Sequence, residues 1–538
     1  MVRQAKVRTA VLLVICILSG ILGTQSQVSA GAENLPFTDL SGAYGTNEIA
    51  SLYNKSIMKG TSQTQFSPDR PITRAESLTV LIRLLKLEPV QGAVAAFTDV
   101  PASKWYYGTV QAGVDLGITE GTSSTKFAPE QPLTRQEAAV WLVRALKQSD
   151  TTVETAPAFS DKGEMAAWAV PSIAIVQELG LMKGDGGAFR PNDPITRQET
   201  AVMMARVLET RDWSSKIDQL PASRIEMGWQ YGQTTSQYEQ SILKSNVNTL
   251  SPRWLFLEKN GTISQSVDRS LVTWAHQHNK VVWAMLGNRF DADATHSILA
   301  DKVKSAAVIK QIGDLVRNYS LDGINFDFEN IYPYDKSGLT SFIQDLAARL
   351  HNEQAKLSVC VSPDLGTDWT EAFDYAALGT AADYMVLMGY DEHWGGGSVA
   401  GSVSSLPWQQ SGLDRLIASV SAKKVILALP FYTRDWSLNK DGSAASSAEL
   451  TLAQQNKLMS SYSLHPKWNG AVQQYTAEYT LGSVRHRIWM EDGRSLSRKY
   501  VMGASRQIAG FAYWYMNSES ADVWSALRNA NRYTGYSF

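Results

Sequence analysis

A threefold recurrence near the start of this chain narrows its possible folds more than any other feature. Thr-Arg-x-Glu stands at 73–76, 134–137 and 196–199, so that its threonines lie 61 and then 62 positions apart. Phe-x-Pro precedes each copy at Phe66, Phe127 and Phe189, and Phe37-Thr38-Asp39, Phe97-Thr98-Asp99 and Phe159-Ser160-Asp161 lie further upstream. A fixed period of this length means stacked supersecondary units, none of which buries its apolar face alone. Within each unit, a Thr followed three residues later by Glu is a capping box, in which each side chain satisfies a backbone N–H of the other. Leu78, Leu81, Leu84 and Leu85 continue at helical spacing, so each unit reads as helix, glycine-containing loop, helix. The three arginines break a local rule, because a cation at a helix N-terminus opposes the macrodipole. Broken three times in register, the rule marks them as candidate ligand contacts.

These landmarks resemble surface-layer homology domains, with the signature Thr-Arg-Ala-Glu intact in the first unit and changed to Thr-Arg-Gln-Glu in the others. The reading places repeats at 37–92, 97–150 and 159–210, followed by a linker at 211–222. The resemblance implies attachment to an anionic secondary wall polysaccharide of a Gram-positive-type cell wall. Arg74, Arg135 and Arg197 would bind its carboxylates, a role suited to a planar bidentate donor.

Residues 1–30 read as a secretory signal peptide. Arg3, Lys6 and Arg8 form its basic start, Val11 to Leu22 its apolar run, and Val28-Ser29-Ala30 its small-residue cleavage site. The apolar run is shorter than the roughly 20 residues that span a bilayer, so no membrane attachment is expected after cleavage. The mature chain is expected to be extracellular, held at the wall or surface layer. Cleavage leaves Cys360 as the one cysteine, which rules out an internal disulfide; its apolar strand context reads as a small buried hydrophobe. A formal net charge of -2 gives no pull toward nucleic acid.

From Arg224 onward β-type runs alternate with helical ones, the pattern of an α/β fold with parallel strands. Eight runs are counted, at 224–228, 247–257, 280–286, 321–329, 356–363, 382–391, 424–432 and 508–516. They predict a (β/α)8 TIM barrel over 223–538, with an insertion between the seventh and eighth strands at about 436–500. In the fourth run, Leu321-Asp322-Gly323-Ile324-Asn325-Phe326-Asp327-Phe328-Glu329, alternation puts Asn325, Asp327 and Glu329 on one face and the apolar residues on the other. Two carboxylates sealed in a core without partners would cost several kcal/mol, so they belong at the C-terminal mouth of the barrel. Alternate strand residues are about 6.6 Å apart, near enough for Asp327 to raise the pKa of Glu329. An acid kept protonated near neutrality is what a glycosidic leaving oxygen needs.

This nonapeptide resembles the signature of glycoside hydrolase family 18, Asp-Gly-x-Asp-x-Asp-x-Glu, a family of chitinases and bacterial wall and spore hydrolases. Met388-Gly389-Tyr390-Asp391, Leu429-Pro430-Phe431-Tyr432-x-Arg434 and Trp514 match further segments in the right order, and Trp489-Met490-Glu491-Asp492 is similar to the spore-germination subgroup. By that resemblance Glu329 protonates the leaving sugar and later activates water. Asp327 orients the 2-acetamido group, whose oxygen attacks the anomeric carbon with retention. Tyr390 and Asp391 hold the acetamido group, Trp514 floors the sugar subsite, and Met388, Tyr432 and Arg434 complete the binding set. Asn325 departs from the signature; it cannot take up a proton, which predicts a shifted pH optimum. No cofactor and no metal is expected. The rival readings are a glycan-binding protein on the same barrel, against which Glu329 argues, and a purely structural surface protein. Chitin, peptidoglycan and spore cortex all stay open as substrates.

Overall fold

The computed structural model describes residues 35–152, 156–364 and 366–538. The expected signal peptide lies outside the described residues.

Six helices build the three repeats in pairs: α1 (Thr46–Asn54) and α2 (Arg74–Leu84), α3 (Tyr107–Asp115) and α4 (Arg135–Ala145), α5 (Val170–Glu178) and α6 (Arg197–Glu209). Thr73, Thr134 and Thr196 each form the expected capping box, worth about 1 kcal/mol per cap. The upstream aspartates have an equally local task. Asp39, Asp99 and Asp161 accept backbone N–H bonds from Phe66, Phe127 and Phe189 and from the residue after each. Those following residues, Ser67, Ala128 and Arg190, sit at φ near +58°, a conformation that costs energy without glycine and is held here by the carboxylate.

The repeats close into a ring: α2 packs on α3, α4 on α5, and α6 on α1. Single β-bridges Thr73–Pro132, Thr134–Pro194 and Pro71–Thr196 join neighbours in the same cyclic order. The segment 211–222, expected as a plain linker, instead carries the helix α7 (Arg211–Asp218), with Trp213 and Ile217 buried. Its apolar residues four apart lie on one helical face, a signal short enough to be missed beside six charged or polar neighbours.

Eight parallel strands follow: β1 (Ile225–Gln230), β2 (Thr249–Leu257), β3 (Val281–Gly287), β4 (Gly323–Asp327), β5 (Lys356–Val361), β6 (Tyr384–Met388), β7 (Val425–Pro430) and β8 (Gly510–Trp514). Each pairs with the next, and β8 pairs with β1 in the register Gly510–Ile225, which closes the barrel. Alternation divides the apolar residues into two clusters. Leu250, Ile324, Phe326 and Leu427 face the helices, while Met227, Trp229, Met285, Cys360 and Ala512 fill the interior. The insertion is a five-stranded antiparallel sheet spanning 432–489. It joins the helix α8 (Gly493–Ser505) through buried Glu491, which pairs with buried Lys499 and accepts bonds from Ser495 and Gln474. The Trp489–Asp492 motif is therefore the seam between insertion and barrel.

Repeats one and two dock on α8 and on the last helix, α9 (Val523–Gly535). Arg528 grips both oxygens of Glu88 at 2.8 Å, and the Asn529 side chain pairs with the Glu88 backbone at 2.7 Å in both directions. Arg498 donates to the Val114 carbonyl, and Tyr533 and Tyr536 to those of Arg144 and Leu85.

Candidate active site

β4 delivers the three expected residues to the barrel axis. Asn325 is fully buried and its amide is saturated. Its oxygen accepts from Trp229 Nε1 at 2.9 Å and Ser251 Oγ at 3.3 Å, and its nitrogen donates to Ser358 Oγ at 3.0 Å and Cys360 Sγ at 3.3 Å. Asp327, one step nearer the mouth, has an oxygen, Oδ1, that is shielded from solvent and meets no partner. Glu329 lies just past the strand end. Its peptide is clamped by Asn288, which accepts from the Glu329 N–H at 3.1 Å and donates to its carbonyl at 2.7 Å.

Burial, then the charges of Asp327 and Asp391, push Glu329 up to about 8. Burial likewise raises Asp327 to about 6, against the pull of the Cys360 thiol and of Arg253. Near neutrality the arrangement therefore holds Glu329 protonated beside an ionised Asp327, an acid next to a hydrogen-bond acceptor.

β6, β7 and β8 bring in the rest. Tyr390 follows β6, its ring 6.1 Å from that of Tyr432. Asp391, at φ 64°, accepts from the Tyr432 hydroxyl at 2.6 Å and lies 4.0 Å from Arg434, which also reaches Glu449 at 3.7 Å. Tyr432 is buried, and its hydroxyl and the Arg434 guanidinium both meet Asp391. Met388 belongs to the interior cluster beneath the site. Trp514 stands edge-on to Trp229 and stacks with exposed Tyr231 at 5.6 Å.

Several participants escaped the sequence reading. Trp229, Ser251, Ser358 and Asn288 hold the motif, yet each is an ordinary residue in its own strand. Cys360, expected only as a small hydrophobe, is buried as expected but also lies against Asn325 and Asp327, with its thiol raised well above the usual range by burial. Arg253 reaches the cleft from β2; a cation inside an apolar strand was the available signal.

Arg74, Arg135 and Arg197, the expected wall-polymer contacts, are at most 4% exposed and bond internal groups of the ring. Each guanidinium lies over the phenylalanine of the next repeat, 4.7–5.2 Å from its ring, and donates to that residue's carbonyl. The carboxylates beside them are the capping-box glutamates Glu137, Glu199 and Glu76 of the next unit. The broken helix rule is thus repaired by ring closure. Arg135 also borders a groove of about 500 Å³ shared with Tyr44, Lys183, Arg190 and Arg206.

The family comparisons agree with this geometry. The model for glycosyl hydrolases family 18 matches residues 228–519, and that for the S-layer homology domain matches 36–76, 96–139 and 158–201. The uncharacterized glycosylase YvbX of Bacillus subtilis is 28% identical over 58% of this chain and 92% of its own length. The surface-layer 125 kDa protein of Lysinibacillus sphaericus is 36% identical over 36% of this chain and 16% of its own. In fold, the chain is similar to the Bacillus cereus spore cortex-lytic enzyme SleL (TM-score 0.54, 22% identity, covering 58% of this chain and 75% of that one). It is also similar to a chitinase from Chromobacterium violaceum (TM-score 0.52, 21% identity, covering 57% and 99%). With an acid-bearing β4 at the mouth of a closed barrel and three ring-forming repeats ahead of it, this chain belongs to glycosyl hydrolases family 18 and is a glycoside hydrolase whose S-layer homology domains associate it with the cell surface.

Proposed function

We propose that the enzyme hydrolyses β-1,4 bonds of an N-acetylglucosamine-containing wall glycan with retention of configuration, using the substrate's own acetamido group. The observation that carries this reading is the pairing of a protonated Glu329 with an Asp327 whose Oδ1 lacks a partner. An acetamido N–H donating to Oδ1 would aim its carbonyl oxygen at the anomeric carbon. Glu329 gives its proton to the leaving oxygen as the C–O bond breaks and the acetamido oxygen closes on carbon. Glu329, now ionised, takes a proton from the water that reopens the ring. No protein carboxylate needs to act as nucleophile, which exempts the site from the usual carboxylate-separation rule. Tyr390 and Asp391 would hold the acetamido group over Trp514.

The repeats hold the enzyme on a secondary polysaccharide of a Gram-positive-type wall. The groove where Arg135 meets Arg190, Arg206 and Lys183 beside Tyr44 supports an anionic sugar polymer as the ligand. Names among the relatives, such as "Cortical fragment-lytic enzyme", favour peptidoglycan-type glycan over environmental chitin. The test is mass spectrometry and anomeric NMR of products from purified peptidoglycan and from chitin oligosaccharides, with wild type and Glu329→Gln. New N-acetylglucosamine reducing ends, first formed as the β-anomer and absent with the variant, support the reading. Binding without cleavage by both proteins would replace it with a lectin.

A further inference from the structure

Arg253 has no place in the chemistry just described. Ser251, two residues earlier on β2, faces the barrel axis and bonds Asn325, so alternation turns Arg253 inward one step nearer the mouth. A β-bulge begins there, between Arg253 and Leu255, a device that re-aims a side chain beside a site. The guanidinium rests in an aromatic tray, 4.8 Å from the Tyr231 ring, 5.6 Å from Phe256 and 5.8 Å from Trp514. Its Nε is closed off from solvent and meets no hydrogen-bond partner. The other two guanidiniums at this rim are neutralised, Arg434 by Asp391 and Glu449, and Arg289 by Glu258 at 3.4 Å; Arg253 forms no ion pair among the described residues.

The charge is also counterproductive for acid catalysis. It lowers the pKa of both Asp327 and Glu329; that helps keep Asp327 ionised, but it works against the proton that Glu329 must hold. A neutral side chain would fill the tray without that cost. An unpaired cation kept beside Trp514 at catalytic expense is accounted for by an anion on the substrate.

We propose that Arg253 is the specificity-determining residue of the cleft, pairing with a carboxylate on the glycan beside the N-acetylated sugar held on Trp514. The preferred substrate is then an acidic N-acetylated glycan rather than neutral chitin. The inference rests on the hydrolase reading above and narrows its substrate. In peptidoglycan the lactyl ether on alternate sugars offers such a carboxylate once the peptide has been removed, so amide hydrolysis is the class of reaction that supplies this substrate. A fork-shaped donor meets it with two parallel bonds.

The test compares kcat/KM for the full chain on three probes of matched length: peptide-free peptidoglycan strands, the same strands with their carboxylates amidated, and chitin oligosaccharides. Wild type is expected to favour the acidic strands over the amidated ones by about 10- to 100-fold, chiefly in KM. Arg253→Gln should abolish that ratio and Arg253→Lys should keep part of it. Equal rates on acidic and amidated strands overturn the proposal while leaving the hydrolase reading intact, and this arm needs no variant to fold. Equal losses on all three probes in both variants also overturn it, assigning Arg253 to the catalytic pair instead. If wild type cuts none of the probes, the hydrolase reading falls and takes the proposal with it.

Discussion

Replacing Asp327 by Asn isolates the electrostatic part of Glu329's acidity. Three causes raise that carboxyl from 4.5 to about 8, burial first, the Asp327 charge second and the Asp391 charge third. Alternate positions along a strand place the two groups about 6.6 Å apart, and at an effective dielectric near 20 one charge then costs the other about 2.5 kcal/mol. That corresponds to a little under two pH units, an upper bound on the Asp327 share because burial is the larger cause. The variant's Glu329 should therefore titrate one to two pH units lower, at about 6 to 7. The sign follows from burial of the acid form: a raised carboxyl pKa keeps Glu329 protonated up to about pH 8, and deprotonation above it removes the catalytic acid. Carboxyl-labelled 13C NMR titration reads this directly, with Glu329→Gln to assign the signal. A titration unchanged at about 8 would mean that burial and Asp391 set the acidity without Asp327; a fall into the ordinary carboxylate range would mean that burial contributes little. Either result refutes the division argued here.

Asn325→Asp should alter the pH–rate profile, because a second ionisable group then shares a proton with Asp327; an unchanged profile would dismiss the role assigned to the Asn. Arg135→Ala removes bonds to Glu199, Phe189 and Lys183 across one ring joint and should destabilise the repeats by about 3 kcal/mol, with Arg135→Lys a poor substitute; calorimetry on the full chain measures both. Glu88→Ala strips the bidentate grip of Arg528 and should loosen the docking of repeats on barrel by about 1 kcal/mol, since the pair is partly exposed; faster proteolysis near residue 88 is the readout. Native protein should resist thiol reagents at Cys360, which is buried and carries a raised thiol pKa, and should label fully once unfolded.

What could be read along the chain were features whose partners are near in sequence. Each capping box spans three residues, and strand alternation sorts Asn325, Asp327 and Glu329 from Ile324, Phe326 and Phe328 within one segment. The eight strand runs, their closure as a barrel and the position of the inserted lobe followed from the same short-range patterns. Groups whose partners are remote were decided by tertiary structure alone. Arg74 meets Glu137 across 63 positions, and Arg528 meets Glu88 across 440, so their roles as ring joint and docking clamp have no local signature. The same holds for the four donors and acceptors that saturate Asn325, and for the bulge that turns Arg253 toward Trp514. A charge's function depends on what desolvates it and what stands opposite, and in this protein both are supplied by neighbouring strands and repeats.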